Sequence, residues 1–361
     1  MSDEVYHRLA HVLDTLPNGF PSTKSGIEIM LLKKIFEPDE AELFCDMRMT
    51  FETAAEVSKR TGRPLDGLEA RLESMGKKGQ LFGIELGGAK YFKMLPWAFG
   101  IYEFQLGRMD REFAEMSERY GGKFGRQFFR HKPQLMQTLP VEETITVQQE
   151  ALPFEKVSSL IEHNQSFLVN ECICKKGRAL LGEPCDRPLE VCLAMAPVPG
   201  IFDKAPHGRV ITRQEAYELL KMTEEQGLVH LTNNVQHGQI FICNCCKCCC
   251  GVLRSINEMG IPARDAINSH YYAVIDPEEC VSCGLCADER CQVNAVEQGE
   301  DSYLIARERC IGCGLCIGTC PTGAVRLVRK GPEERVLPPV TESDWFEERG
   351  RARGVDFSTY K

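Results

Sequence analysis

The chain is poor in tryptophan, with two in 361 residues, and it has no apolar run of roughly 18 residues, the length a membrane-crossing helix needs. The opening Met1-Ser2-Asp3-Glu4 has neither the basic stretch nor the apolar core of a secretory signal, so a cytoplasmic location is expected. A basic excess is missing too. The net charge is -9, with 19 basic and 20 acidic side chains in residues 1–130 and 24 and 32 in the remainder. That balance presents no broad basic face, and nucleic acid is an unlikely partner. No G-x-G-x-x-G follows a strand, and there is no Walker loop or G-x-S-x-G elbow, so the sequence shows no nucleotide or flavin site of its own. Low complexity is excluded by 43% hydrophobic and 26% charged residues, the balance of a soluble globular protein. At this length two or three domains are expected.

What the sequence has in abundance is cysteine, 19 in all. A long chain without an export signal is a poor candidate for a disulfide scaffold, and the cysteines are tightly clustered. Six of them, Cys243, Cys245, Cys246, Cys248, Cys249 and Cys250, fall within eight residues, too close for strain-free disulfides. Thiolates held for metal are the better reading. Cys45 stands alone on an apolar helix and reads as a buried thiol used as a small hydrophobe.

Local signals divide the chain. Pro38 opens a helix expected to run to Met49. Thr53-Ala54-Ala55-Glu56 is a capping box for a short helix that Gly62 stops. A third helix is expected from Pro64 to Lys78, with Leu65, Leu68, Leu72 and Met75 as its apolar stripe. Strands 81–86 and 89–94 flank Gly87-Gly88, a pair suited to a two-residue hairpin. Three helices and a hairpin resemble a winged-helix domain. Residues 95–140 carry Trp97, Phe99, Tyr102, Phe104, Phe113, Tyr120, Phe124, Phe128 and Phe129, read as helices covering that domain or a dimer partner. Residues 140–153 are read as a linker with one short strand at Thr144-Ile145-Thr146-Val147. Beyond it, Thr212-Arg213-Gln214-Glu215 caps a helix ending at Gly227, followed by strands at 228–231 and 239–242.

An internal repeat stands near the C-terminal end. Cys280-Val281-Ser282-Cys283-Gly284-Leu285-Cys286 recurs as Cys310-Ile311-Gly312-Cys313-Gly314-Leu315-Cys316, the mark of a duplicated half. With Cys320 and Pro321 the second half reads C-x2-C-x2-C-x3-C-P, the bacterial ferredoxin run. This segment resembles the dicluster 4Fe-4S ferredoxins. The resemblance implies that Cys280, Cys283 and Cys286 join Cys320 around one cluster, and that Cys310, Cys313 and Cys316 join Cys291 around the other. The first half departs from the family: four residues separate Cys286 from Cys291, and Gln292 replaces the proline. A bulge is expected there. Paired C-x2-C elements also hold zinc, so a double zinc site is the competing reading.

The middle of the chain carries Cys172, Cys174, Cys185 and Cys192 ahead of the CNCCKCCC string at 243–250. Its C-x-C, Gly-x-x-Cys-Asp-x-Pro-x-Glu-x-Cys and Cys-Asn-Cys-Cys-x-Cys-Cys-Cys elements resemble ferredoxin-domain proteins of anaerobic bacteria, which implies a redox role without supplying a substrate. Ten thiolates suffice for two further four-iron clusters with two to spare, or for one cluster and several structural thiols. Successive side chains of an extended run point to opposite faces, so one string can serve two sites. Zinc and redox-active thiols remain open alternatives. His163, His207, His230 and His237 flank this module as possible ligands or proton carriers, with surface positions the simpler reading. Lys175, Lys176, Arg178 and Lys247 would favour thiolates and an anionic cluster, or form a solvated basic loop.

The expected fold is α+β and multidomain: a winged-helix-like domain with a helical extension at 1–140, a cysteine-rich mixed module at 141–269, a dicluster ferredoxin-like domain at 270–330 and a polar tail at 331–361. The expected function is electron transfer, as a redox subunit or mediator relaying single electrons through 4Fe-4S clusters to an oxidoreductase, a flavoprotein being the natural partner. A homodimer is compatible with the aromatic segment. The alternative is a redox- or iron-sensing winged-helix regulator, but its recognition helix would mix Arg63, Arg71, Lys77 and Lys78 with Asp66, Glu69 and Glu73.

Overall fold

In the computed structural model, which describes residues 3–146 and 151–361, the capping signals act where the sequence put them. Thr53 accepts from the Glu56 amide at 3.3 Å while Glu56 accepts from the Thr53 amide at 2.8 Å, and helix Ala54–Thr61 stops at Gly62 with φ 73°. The helix expected from Pro38 to Met49 ends sooner, at Phe44, with Cys45 as its C-cap. The third helix starts late, at Leu68, because Gly67 takes a left-handed conformation ahead of it. Leu65 therefore falls outside the apolar stripe and is exposed. Strands β1 (Leu81–Leu86) and β2 (Ala89–Met94) pair antiparallel, and Gly87 and Gly88 both take positive φ, as a tight primed turn requires.

Two compact units emerge. The first holds residues 1–128, 180–182 and 346–361, and the second 129–179 and 183–345. In the first, the aromatic segment folds inward. Phe20 packs on Trp97 and Tyr120 with centroids 5.1 and 5.0 Å apart, and Phe113 and Tyr120 of helix Arg111–Phe128 are buried. Residues 346–361, expected as part of a polar tail, belong to this unit. Most of helix Glu342–Arg353 lies there, with Arg349 buried and donating to the Phe128 carbonyl, and Met49 N donates to Tyr360 O at 2.7 Å.

The second unit is built on a seven-stranded sheet with order β6-β4-β5-β8-β7-β3-β9. Its strands are β3 (Met136–Leu139), β4 (Ser166–Glu171), β5 (Glu190–Ala196), β6 (Arg209–Ile211), β7 (Val229–Asn233), β8 (Phe241–Cys245) and β9 (Ile267–Asn268). All pairs are antiparallel except β3 with β9. β3 lies in the stretch read as helical. Helices Val157–His163 and Arg213–Glu225 bury Leu160, Ile161 and Leu220 against Phe167, Leu193 and Ile242, which is the alternation of a half-buried sheet. The short strand expected at 144–147 is not formed by its described residues, since Glu142–Thr144 makes a 3-10 turn; Val147 lies outside the described residues. The mixture of helices and sheets is α+β in content.

Candidate metal centres

Two antiparallel ribbons frame the ferredoxin-like segment: β10 (Tyr271–Ile275) with β13 (Val325–Arg329), and β11 (Val296–Gln298) with β12 (Tyr303–Ile305). Between them lie two cavities. One is lined by Cys280, Cys283, Cys286 and Cys320, the other by Cys291, Cys310, Cys313 and Cys316. Each three-cysteine run thus meets the fourth cysteine of the other half.

The residues fit a four-thiolate iron-sulfur group in each cavity. Backbone N-H groups point at sulfur, Ala273 N at Cys310 Sγ (3.4 Å) and Ala295 N at Cys291 Sγ (3.1 Å), the contacts that stabilise an electron-rich thiolate. Cys313 is pushed up to about 12 by burial, so metal would bind there with proton release. Burial also acts on Cys320, but the Thr322 hydroxyl and the amides of Val325, Thr322 and Ala324 together hold its thiol below the usual range. Gly312 (φ 62°) lets the loop pass close to β10, since a Cβ there would stand 2.3 Å from Tyr271 O.

The irregular first half keeps its cysteine in place. The four residues between Cys286 and Cys291 are absorbed by a single π turn, with Cys291 N donating to Cys286 O at 3.1 Å, so the expected bulge takes a defined form. Gln292 then reaches across, accepting from Lys247 N at 2.9 Å. Asn257 Nδ2 donates to Gln292 O at 3.0 Å. The stretch read as a linker is also built in: Val141 N donates to Cys313 O at 3.0 Å, and Thr144 Oγ1 covers Gly314.

The ten middle cysteines separate into two groups. Cys185, Cys246, Cys248 and Cys249 place all four sulfurs within 4.8 Å of one another. The other six follow the sheet. Leu193 pairs with Ile242, which carries Cys192 opposite Cys243 on the face turned away from the apolar core. Hydrogen bonds between thiols run from Cys250 through Cys245, Cys243 and Cys192 to Cys172, which also receives Cys174. Cys250 and Cys245 lie in the neighbourhood of Cys174, so the six form a ring-like group of sulfurs. The string serves both groups, but it divides at the end of β8 rather than by alternation: Cys243 and Cys245 stay with the strand, Cys246 begins the turn, and Cys250 returns to the ring at the start of helix Gly251–Glu258.

Accepted hydrogen bonds from Cys174 and Cys192 hold the Cys172 thiol well below its ordinary value against burial. Donation by Cys249 does the same for Cys246, at about 5, with the Lys175 charge contributing. Lys175, read as a charge favouring thiolates or as part of a solvated basic loop, is buried, and its Nζ donates to Pro188 O at 2.9 Å. The histidines do not join these groups. Buried His230 is held by Asn244 Oδ1 (2.5 Å) and Glu224 Oε1 (3.1 Å), and His163 contacts Ser159 O on the surface. A buried network that sequence reasoning missed stands beside the second cavity: Glu155 meets His270 Nδ1 at 2.5 Å and Arg329 Nη1 at 3.0 Å, and Tyr271 OH at 3.3 Å. Nothing local marks it, because Glu155 is more than a hundred residues from each of its partners in sequence.

Cys45 is buried, and burial pushes its thiol up to about 12. No helix among the described residues is long and apolar enough to cross a membrane. No curated protein and no solved structure matches the chain. A 4Fe-4S binding domain family does match, over residues 303–326, the stretch that contains Cys310, Cys313, Cys316 and Cys320, and this similarity together with the cysteine groups makes the chain an iron-sulfur protein.

Proposed function

We propose that the protein transfers electrons, relaying them singly through two 4Fe-4S clusters in the ferredoxin-like segment and a further iron-sulfur group in the middle module to a partner oxidoreductase, a flavoprotein by the chemistry of one-electron exchange. The observation that carries this reading is the exchange of the fourth cysteine between the two halves, since a duplicated ferredoxin ligates its clusters in that crossed manner. Bound at these cavities, the clusters would supply the one-electron carriers. The chain's own groups set their surroundings. Cys280, Cys283, Cys286 and Cys320 would hold one cluster and Cys291, Cys310, Cys313 and Cys316 the other. Amides of Ala273 and Ala295 would temper the charge on sulfur, and Val293, Leu285 and Val325 keep water away. The ring of Cys172, Cys174, Cys192, Cys243, Cys245 and Cys250 offers thiolates for the further group. Gln292 and Lys247 fasten the second cavity to the CNCCKCCC turn, which favours a short route between the modules.

The winged-helix-like segment is best read as a protein-docking element. Three of the four basic side chains of its expected recognition helix are engaged: Arg63 with Asp46 at 2.9 Å, Arg71 with Asp39 at 2.6 Å, and Lys78 with Glu40 at 2.5 Å. Phosphate contacts would have to displace these pairs. The burial of Trp97, Phe113 and Tyr120 leaves Phe104 as the exposed ring of that segment that a homodimer could use.

Anaerobic iron and sulfide counts with electron paramagnetic resonance test the reading. About eight iron and eight sulfide per chain are expected from the ferredoxin-like cysteines, with additional sulfide that falls on substitution of Cys172 or Cys245 by Ser. Absence of acid-labile sulfide would overturn it.

A further inference from the structure

We propose that Cys185, Cys246, Cys248 and Cys249 form a closed tetrathiolate site for a single zinc ion, distinct in kind from the cluster sites. The argument is metric. Zinc-sulfur bonds of about 2.3 Å at tetrahedral angles put the thiolates about 3.8 Å apart. Here Cys185 Sγ lies 3.8 Å from Cys246 Sγ and 3.4 Å from Cys248 Sγ, Cys248 Sγ lies 3.3 Å from Cys246 Sγ, and Cys249 Sγ lies 3.7 Å from Cys248 Sγ. In a cubane each thiolate caps a different iron, with the sulfide-bridged core between them, so all four cannot crowd together in this way. Among the described residues the other six cysteines make no such compact group, and their interactions run from neighbour to neighbour.

The surroundings suit a structural ion. Cys246 and Cys249 stand in C-x2-C spacing, a common zinc-binding pair. Four thiolates around a divalent cation keep a double negative charge, and the buried Lys175 lies near enough to act on Cys246. Arg187 N donates to Cys185 Sγ at 3.4 Å, a contact that orients the ligand. Among the described residues no histidine or carboxylate joins the set, so the four thiolates fill a tetrahedral shell by themselves. The ion would staple the loop between helix Ile173–Leu180 and β5 to the turn after β8, elements 61 residues apart in sequence, and so hold the turn that also feeds Cys250 into the ring. This assignment is independent of the ferredoxin reading.

The test is a metal and sulfide inventory of the full chain, purified anaerobically without added metal. One zinc per chain is expected beside the iron, and cobalt exchanged into that position should show the visible ligand-field bands of a tetrahedral thiolate site. Cys248→Ala, at an exposed cysteine, and Cys185→Ser should each remove the zinc while sulfide stays at the wild-type count. Wild-type protein without zinc, or variants that lose sulfide together with metal, would overturn the proposal. Loss of sulfide across the whole chain with zinc retained would instead defeat the electron-transfer reading alone.

Discussion

Gly312 and Ser282 occupy the same place in the two halves of the cysteine repeat, and both take positive φ, 62° and 51°. What separates them is space. A Cβ on Gly312 would collide with the Tyr271 carbonyl, whereas Ser282 fits its loop and donates from Oγ to Asp301 O at 2.8 Å. Gly312→Ala should therefore destabilise the anaerobic protein well beyond the roughly 1 kcal/mol of an ordinary glycine replacement, seen as a lower urea midpoint and loss of iron. Ser282→Gly should stay within about 1 kcal/mol of the parent. Cys45 gives a second test at this scale. With its thiol pushed up to about 12 by burial, it should resist alkylation at pH 8 in the folded protein and react after denaturation, as mass spectrometry would show. The repeat marks both cysteines and glycines in the sequence. It does not reveal that one positive-φ position is crowded and the other open, because the crowding comes from a strand forty residues away.

Among the elements, those defined by neighbouring residues were the legible ones. The capping boxes at Thr53 and Thr212 place their helices correctly because each needs only four consecutive residues. The start at Pro64 misleads because Gly67 intervenes, and the stretch after Pro140 reads as a linker because its partner, Cys313, is remote in sequence. Gln292 belongs to the same class. Its departure from proline is plain in the sequence, but its purpose appears only where Lys247 N meets its side chain. Gln292→Leu would leave that amide without its acceptor, at a cost of roughly 1–3 kcal/mol. Chemical denaturation of the anaerobic protein should register the loss, and a variant indistinguishable from the parent would show the junction to be incidental. The ring of six thiols was legible as a supply of ligands, whereas its separation from the compact four depends on where β8 ends.

On the scale of the molecule, the Glu155 network ties β10 and β13 to the start of the second unit. Burial raises the Glu155 carboxyl, but hydrogen bonds from His270 and Leu152 N and the charges of His270 and Arg329 outweigh it, leaving the folded group below its ordinary value of 4.5. Such a group stabilises the fold fully above its unfolded value, and the contribution disappears as pH falls through the lower folded value. The parent should thus lose stability more steeply than Glu155→Gln on acidification below about pH 4.5, measured by denaturant midpoints across pH. Parallel profiles would remove Glu155 from the account.

The return of residues 346–361 to the first unit bears on the order of events during synthesis. Arg349, the buried residue that reaches the Phe128 carbonyl, leaves the ribosome more than two hundred residues after its acceptor, and Tyr360, which takes the Met49 amide, later still. The cysteine-bearing unit is translated entirely inside that interval. Every cysteine from Cys172 to Cys320 is therefore translated before the last helix of the first unit, and any metal loading on the nascent chain would take place with that unit still open.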